Sequence, residues 1–142
     1  MTVTFFGHSD TPLSVENSLH LLLIDLIENH NTVNFYVGNN GNFDLMVRKQ
    51  LKELSKISDI RYSVVLAYYP NKTDTQNEEM NTIYPEGLET VPKRFAISWR
   101  NKWMIKQSDT VVTYVKHNFG GAAQFNELAQ KQGKQVINLG EQ

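Results

Sequence analysis

Apolar residues recur along this chain in two rhythms that take turns. Short runs of β-branched and aromatic residues at 2–6, 33–37, 62–68, 109–115 and 135–139 have strand composition. The stretches between them carry apolar residues at helical spacing. Leu19, Leu22, Leu23, Leu26 and Ile27 form one stripe, which Asn29-His30-Asn31 closes. Phe43, Met46, Val47, Leu51 and Leu54 form a second, with Asn42 placed to cap the helix and Asp44 in its first turn. A third helix is expected over 94–106, with Trp99 and Trp103 one turn apart, and Gly120-Gly121 opens a fourth. Strict alternation of strand and helix predicts an α/β fold. It is a single Rossmann-like three-layer domain over residues 1–142, with a five-stranded parallel sheet of order 3-2-1-4-5 and helices on both faces. Residues 71–93 break the rhythm. They are polar, hold Asp74, Glu78, Glu79, Glu86, Glu89, Pro85 and Pro92, and read as a long connecting loop or lid.

Composition narrows the function classes. The chain has 142 residues, 40% of them hydrophobic and 20% charged, as in an ordinary folded domain. Its net charge of −1 gives no sign of a nucleic-acid or membrane partner, so neither is expected. It lacks cysteine, which excludes thiolate chemistry. No apolar run reaches the ~18 residues of a membrane span. The start of the chain is strand-like rather than signal-like, so a cytoplasmic protein is expected. Four scattered histidines, without a matching carboxylate cluster, predict no metal site and no cofactor.

Three loops carry the candidate chemistry. Each follows a predicted strand and is rich in glycine and small polar residues: Gly7-His8-Ser9-Asp10, Gly38-Asn39-Asn40-Gly41-Asn42, and His117-Asn118-Phe119-Gly120-Gly121. In an open parallel sheet, ligands lie beyond the carboxyl ends of the strands where strand order reverses. Glycine permits close approach to the backbone, and helix starts present unpaired amides with a partial positive charge. The expected ligand-binding residues are therefore Gly7, His8, Ser9, Gly38, Asn39, Gly41, Asn42, Asp44, His117, Gly120, Gly121 and Ala122. Short loops of this kind also favour such residues for turn geometry alone. Arg100 could clamp a phosphate or carboxylate, or partner Asp109. Glu127 could hold a ribose hydroxyl or stabilise a cationic sugar, or stand solvated on its helix. Trp99 and Trp103 read as core or as a helix face through which copies of the chain assemble.

The segments F-F-G-H, Y-V-G-N-N-G-N-F-D-x-x-V, R-x-K-W-M before S-D-x-V-V-x-Y, and G-G-A-A-x-F-x-E-x-A before V-I-N-L resemble the SLOG superfamily. The likeness is nearest to small standalone bacterial proteins around the DUF1273 group. SLOG domains are similar to cytokinin-activating phosphoribohydrolases and to the DNA-processing protein DprA. The resemblance implies a Rossmann-like fold that binds a nucleotide or nucleotide-derived ligand, with phosphate at the Gly120-Gly121 helix start. It also implies, as an alternative, an N-glycosidase acting on a nucleoside monophosphate, with Arg100 and Glu127 as catalytic residues. A scaffold without a small ligand is the third reading. The hydrolase pattern P-G-G-x-G-T-x-E-E is matched at Gly120, Gly121 and Glu127. It is replaced at Phe119, Ala123-Gln124 and Asn126, and Ser9 stands where relatives carry an arginine.

Overall fold

The computed structural model describes residues 1–31, 33–69 and 81–141. In chain order the strands are β1 (Thr2–Gly7), β2 (Asn34–Val37), β3 (Arg61–Val65), β4 (Thr82–Ile83), β5 (Thr110–Tyr114) and β6 (Gln135–Asn138). The helices are α1 (Val15–Glu28), α2 (Gly41–Leu54), α3 (Lys93–Gln107) and α4 (Gly121–Lys131). All strand pairings are parallel, and the sheet runs β4-β3-β2-β1-β5-β6.

The expected five-strand sheet of order 3-2-1-4-5 is corrected to six strands, and the order differs by the strand at its outer edge. That strand, β4, lies inside the stretch read as a loop. Two residues are too few to show an alternation, so nothing in the sequence marks it. The same stretch also holds a short 3₁₀ turn at Leu88–Thr90. The rest of the proposed lid, residues 71–80, lies outside the described residues.

Side-chain alternation along β1 divides the interior. Val3 and Phe5 point to one face, where α1 and α2 cover them with Leu19, Leu23, Phe43, Val47 and Leu51. Phe6 points to the other, against Met104 and Ile105 of α3 and Phe125 and Ala129 of α4. Phe6 stacks on Phe125 at 5.6 Å between ring centroids. Helix α2 starts at Gly41, earlier than the expected Asn42 cap, and Asn40 occupies the capping position without a side-chain capping bond.

The reason lies in α3. Arg100 is only 1% exposed, and four of its five guanidinium N–H groups donate hydrogen bonds, three of them to other elements. Nη1 donates to the Val65 carbonyl at the end of β3 (3.1 Å) and to Asn39 Oδ1 (3.0 Å). Nη2 donates to Asn40 Oδ1 (2.8 Å), and Nε donates to Asn101 Oδ1 (2.9 Å). One planar fork thus fastens β3, the β2–α2 turn and α3 together. Asp109, the partner considered for it, instead accepts the Thr2 N–H at 2.9 Å.

Lysine cannot reproduce that fork. Arg100→Lys should therefore leave buried carbonyl and amide oxygens without donors and cost about 3 kcal/mol of stability. Urea denaturation would read it. A loss below about 1 kcal/mol would mean the network contributes little.

Candidate nucleic-acid interface

The carboxyl ends of the strands form one rim, and the first and third loops meet on it. Strand register places Gly7 beside Tyr114, so the chain leaves β1 and β5 side by side. The His8 N–H donates to the Tyr114 carbonyl at 3.3 Å, and His8 Nε2 accepts the Lys116 N–H at 3.0 Å. Because Nε2 accepts, the ring carries its proton on Nδ1. Burial pulls the His8 pKa below its ordinary value, the neighbouring His117 adds to this, and Asp10 opposes it. His8 is thus a neutral, structural imidazole rather than a cation facing phosphate.

It is also the base of a stack. The His117 ring lies on His8 at 3.8 Å and 15°, and the Phe119 ring lies on His117 at 4.0 Å and 18°. His117 Nδ1 lies 3.0 Å from the Phe119 carbonyl, which fixes the turn between them. Phe119, at the top, is 68% exposed.

The second loop closes onto the first. Gly41 has φ +85°, and a Cβ there would stand 2.7 Å from Ser9 Cα. The Asn42 N–H donates to the Ser9 carbonyl at 2.9 Å. Gly38 serves a different purpose. A Cβ on it would lie 2.8 Å from Asp44 Oδ2 and 3.0 Å from Arg100 Cζ, so its small size makes room for those two groups. Gly7 likewise leaves space for the Phe43 ring.

Between the loops lies a crevice of about 480 Å³. Of the expected site residues, Gly7, His8, Ser9, Gly41, Asp44, Arg100, His117, Gly120, Gly121 and Ala122 line it. Gly38, Asn39 and Asn42 stand behind it in the network that holds Arg100 and the loops. Glu127 is not brought to it. Its side chain is 66% exposed and pairs with Lys131 at 3.2 Å on the outer face of α4. Two positions on from Phe125, it is turned roughly 200° from the stripe that faces the sheet. Asn126, standing where the hydrolase pattern has glutamate, bonds to Thr113 Oγ1 at 2.8 Å. Seven lining residues were not among the expected ones: Phe6, Asp10, Asn40, Ile97, Asn101, Phe119 and Phe125. The signal for Phe119 was present, as an aromatic residue directly before a glycine pair. A groove of about 810 Å³ between α1 and α2 is larger, but it lies away from the rim and has no converging loops.

The floor of the crevice holds an unusual carboxylate. Asp44 is buried, and its Oδ2 accepts the Asn40 N–H at 3.0 Å. Burial raises its pKa from the ordinary 3.8 to about 6, against the opposing pull of the Asn40 amide, Arg100 and Arg48. The Arg100 guanidinium is shifted down, again chiefly by burial, with Asp44 opposing. The two charges face one another across Gly38 without a direct ion pair.

At the opposite wall, α4 begins at Gly121 with no side-chain cap. Gly120, at φ +90°, and Gly121 have open space where a Cβ would be. First-turn amides have no intrahelical acceptor, so those of α4 face the crevice available to an anion. Among the described residues no cluster of three or more potential metal ligands occurs, and no helix is long and apolar enough to cross a membrane.

The Asp44 environment predicts a pH dependence. A carboxylate with a raised folded pKa favours folding when protonated. Its stabilisation is complete below about pH 3.8 and is lost as pH rises through about 6. That fall is on the order of 3 kcal/mol. Asp44→Asn, which keeps an acceptor for the Asn40 amide, should flatten the wild-type decline between these pH values in urea titrations. An unchanged pH profile would mean that Asp44 titrates normally.

No family model and no curated protein matches the sequence. Two solved structures share the fold. A DNA processing protein A from Helicobacter pylori, described for its single-stranded DNA binding mode, matches at TM-score 0.69 and 17% identity. DNA processing protein A from Streptococcus pneumoniae matches at TM-score 0.71 and 14% identity. The matches cover 97% and 96% of this chain but only 64% and 49% of those proteins, so the chain spans about half to two thirds of their length. The Rossmann-like architecture with a parallel sheet is thereby shared. The same finding overturns two expectations, a small nucleotide-derived ligand, bound or cleaved, and the absence of a nucleic-acid partner. The structures that this fold matches belong to proteins that process DNA.

Proposed function

We propose that this chain binds single-stranded DNA across the carboxyl rim of its sheet, with a base stacked on Phe119 and an adjoining phosphate on the start of α4. The exposed Phe119 carries the reading. Its inner face rests on His117, which in turn rests on His8, and Phe119 is left largely to solvent beside the start of α4. Proteins that hold single strands without strong sequence preference pair an aromatic platform with a path for the backbone. A platform already stacked on two rings loses little freedom when a base joins it. The fold likeness to DNA processing protein A supports the same partner, and the quoted motifs resemble those of the SLOG superfamily, to which DNA processing protein A is similar. In this reading Arg100 does no chemistry; it keeps the β2–α2 turn in position beneath the strand.

Electrostatics set the expected character of binding. Asp10 and Asp44 line the crevice alongside Arg100, so no large positive field gathers there. Stacking and amide dipoles must then provide most of the affinity, and few counterions are released.

The test is fluorescence anisotropy with a labelled oligothymidylate. Binding is expected to weaken by less than about tenfold between roughly 50 and 200 mM salt. Phe119→Ala should weaken it about 5- to 100-fold. Gly121→Glu has room for its side chain and places an acid in the first helical turn, so it should keep the fold while lowering affinity. Absence of binding to any single-stranded oligonucleotide, or full binding by Phe119→Ala, would overturn the proposal.

A further inference from the structure

We infer that an aromatic pocket at the β3–β4 end of the rim receives a second base of the same strand, so that the DNA crosses the start of α3. This rests on the single-stranded DNA reading above. Strands β3 and β4 end side by side, and the Leu66 N–H donates to the Ile83 carbonyl at 2.8 Å. The chain leaving them brings Tyr69 against Tyr84, ring edge to ring face, at 5.4 Å and 83°. These two tyrosines and Tyr68 stand over a cavity of about 320 Å³, floored by the buried Ala67, Leu88 and Ala96. Tyr69 is 78% exposed, a large apolar ring left in water. A small cavity with an apolar floor and aromatic walls suits a flat, partly polar group such as a nucleobase.

Charge and continuity favour DNA as the occupant. Lys93 lines the pocket, and its carbonyl accepts the Tyr68 hydroxyl at 3.4 Å. Arg94 is exposed beside it, with its guanidinium 4.8 Å above the Phe95 ring. Both cations stand at the start of α3, where a backbone phosphate would pass. Glu89, the one acid in the lining, is turned to its own backbone and accepts the Gly87 N–H at 3.1 Å. The pocket adjoins the crevice along α3. Ala96 lines the pocket, while Ile97, Arg100 and Asn101 line the crevice. At 1.5 Å of rise per residue, Lys93 and Arg100 lie about 10 Å apart along the helix. The two base sites are thus neighbours on a single path, and each extends the footprint of the other.

Anisotropy with labelled oligothymidylates of about 4 and about 15 nucleotides separates the two claims. Phe119→Ala should weaken both lengths. Tyr69→Ala, and independently Lys93→Glu on the exposed helix start, should weaken the longer about tenfold and leave the shorter unchanged. If neither variant affects the longer oligonucleotide while Phe119→Ala still does, the second site is wrong and the crevice reading stands. Equal weakening of both lengths by Tyr69→Ala would also overturn it, by placing Tyr69 in the first site. Failure of the wild-type chain to bind either length would remove both proposals.

Discussion

The rim depends on the burial of one guanidinium. Arg100 reaches the end of β3, both asparagines of the β2–α2 turn and its own neighbour Asn101, all from within α3. A buried charge is costly unless its donors are matched, and here four acceptors meet four of the five N–H groups in geometry that suits a planar fork. The match has consequences beyond stability. It uses the Asn40 side chain, so α2 begins without a side-chain cap. It requires Gly38, because a Cβ would collide with the guanidinium. It also holds Asp44 close enough to temper, but not cancel, the effect of burial on that carboxyl group.

The crevice is then the result of two separate fastenings. Arg100 sets the second loop against β3, while the hydrogen bond from Lys116 to His8 sets the third loop against the first. Gly41 joins the two halves by letting the second loop lie on Ser9. Each of the three loops is held by a residue from another element as well as by its own turn bonds, which is why a rigid site can be built from short polar turns. His8 contributes by shape rather than charge, since it is held neutral and flat under His117.

Much of this was legible in the residues, and the exceptions have physical causes. Five strands announced themselves because five-residue apolar runs carry a period, whereas Thr82–Ile83 is too short to have one. Ten of the fourteen expected site residues line the crevice, because parallel topology alone gathers the loops that follow β1, β2 and β5 at one rim. Spacing alone could not tell a lining residue from a supporting one. Gly38 and Asn39 look like ligand contacts in sequence and are partners of a buried arginine in space. Glu127 was misplaced by motif matching. Its helix is phased by Phe125 and Ala129, which bury themselves and turn the glutamate outward. The partner was misjudged from net charge, which reports a field averaged over the whole surface and is silent about stacking.

The departures from the hydrolase pattern point the same way. A proline before the glycine pair would end a loop compactly, whereas Phe119 at that position places an exposed ring over His117. Asn126 in place of a carboxylate bonds to Thr113 and removes a negative charge from beneath the helix start. Ala123 and Gln124 replace a glycine and a hydroxyl, leaving the backbone amides of α4 as the groups to which the proposal assigns a phosphate. The hydroxyl and the carboxylate lost here are groups that bond cleavage would use, and the ring gained at Phe119 suits holding a polymer. Catalysis needs charge aimed at one reacting atom, whereas binding along a strand needs repeated flat surfaces and tolerance of what passes over them. By that criterion the exposed ring and the open helix start suit the proposed strand better than they suit bond cleavage.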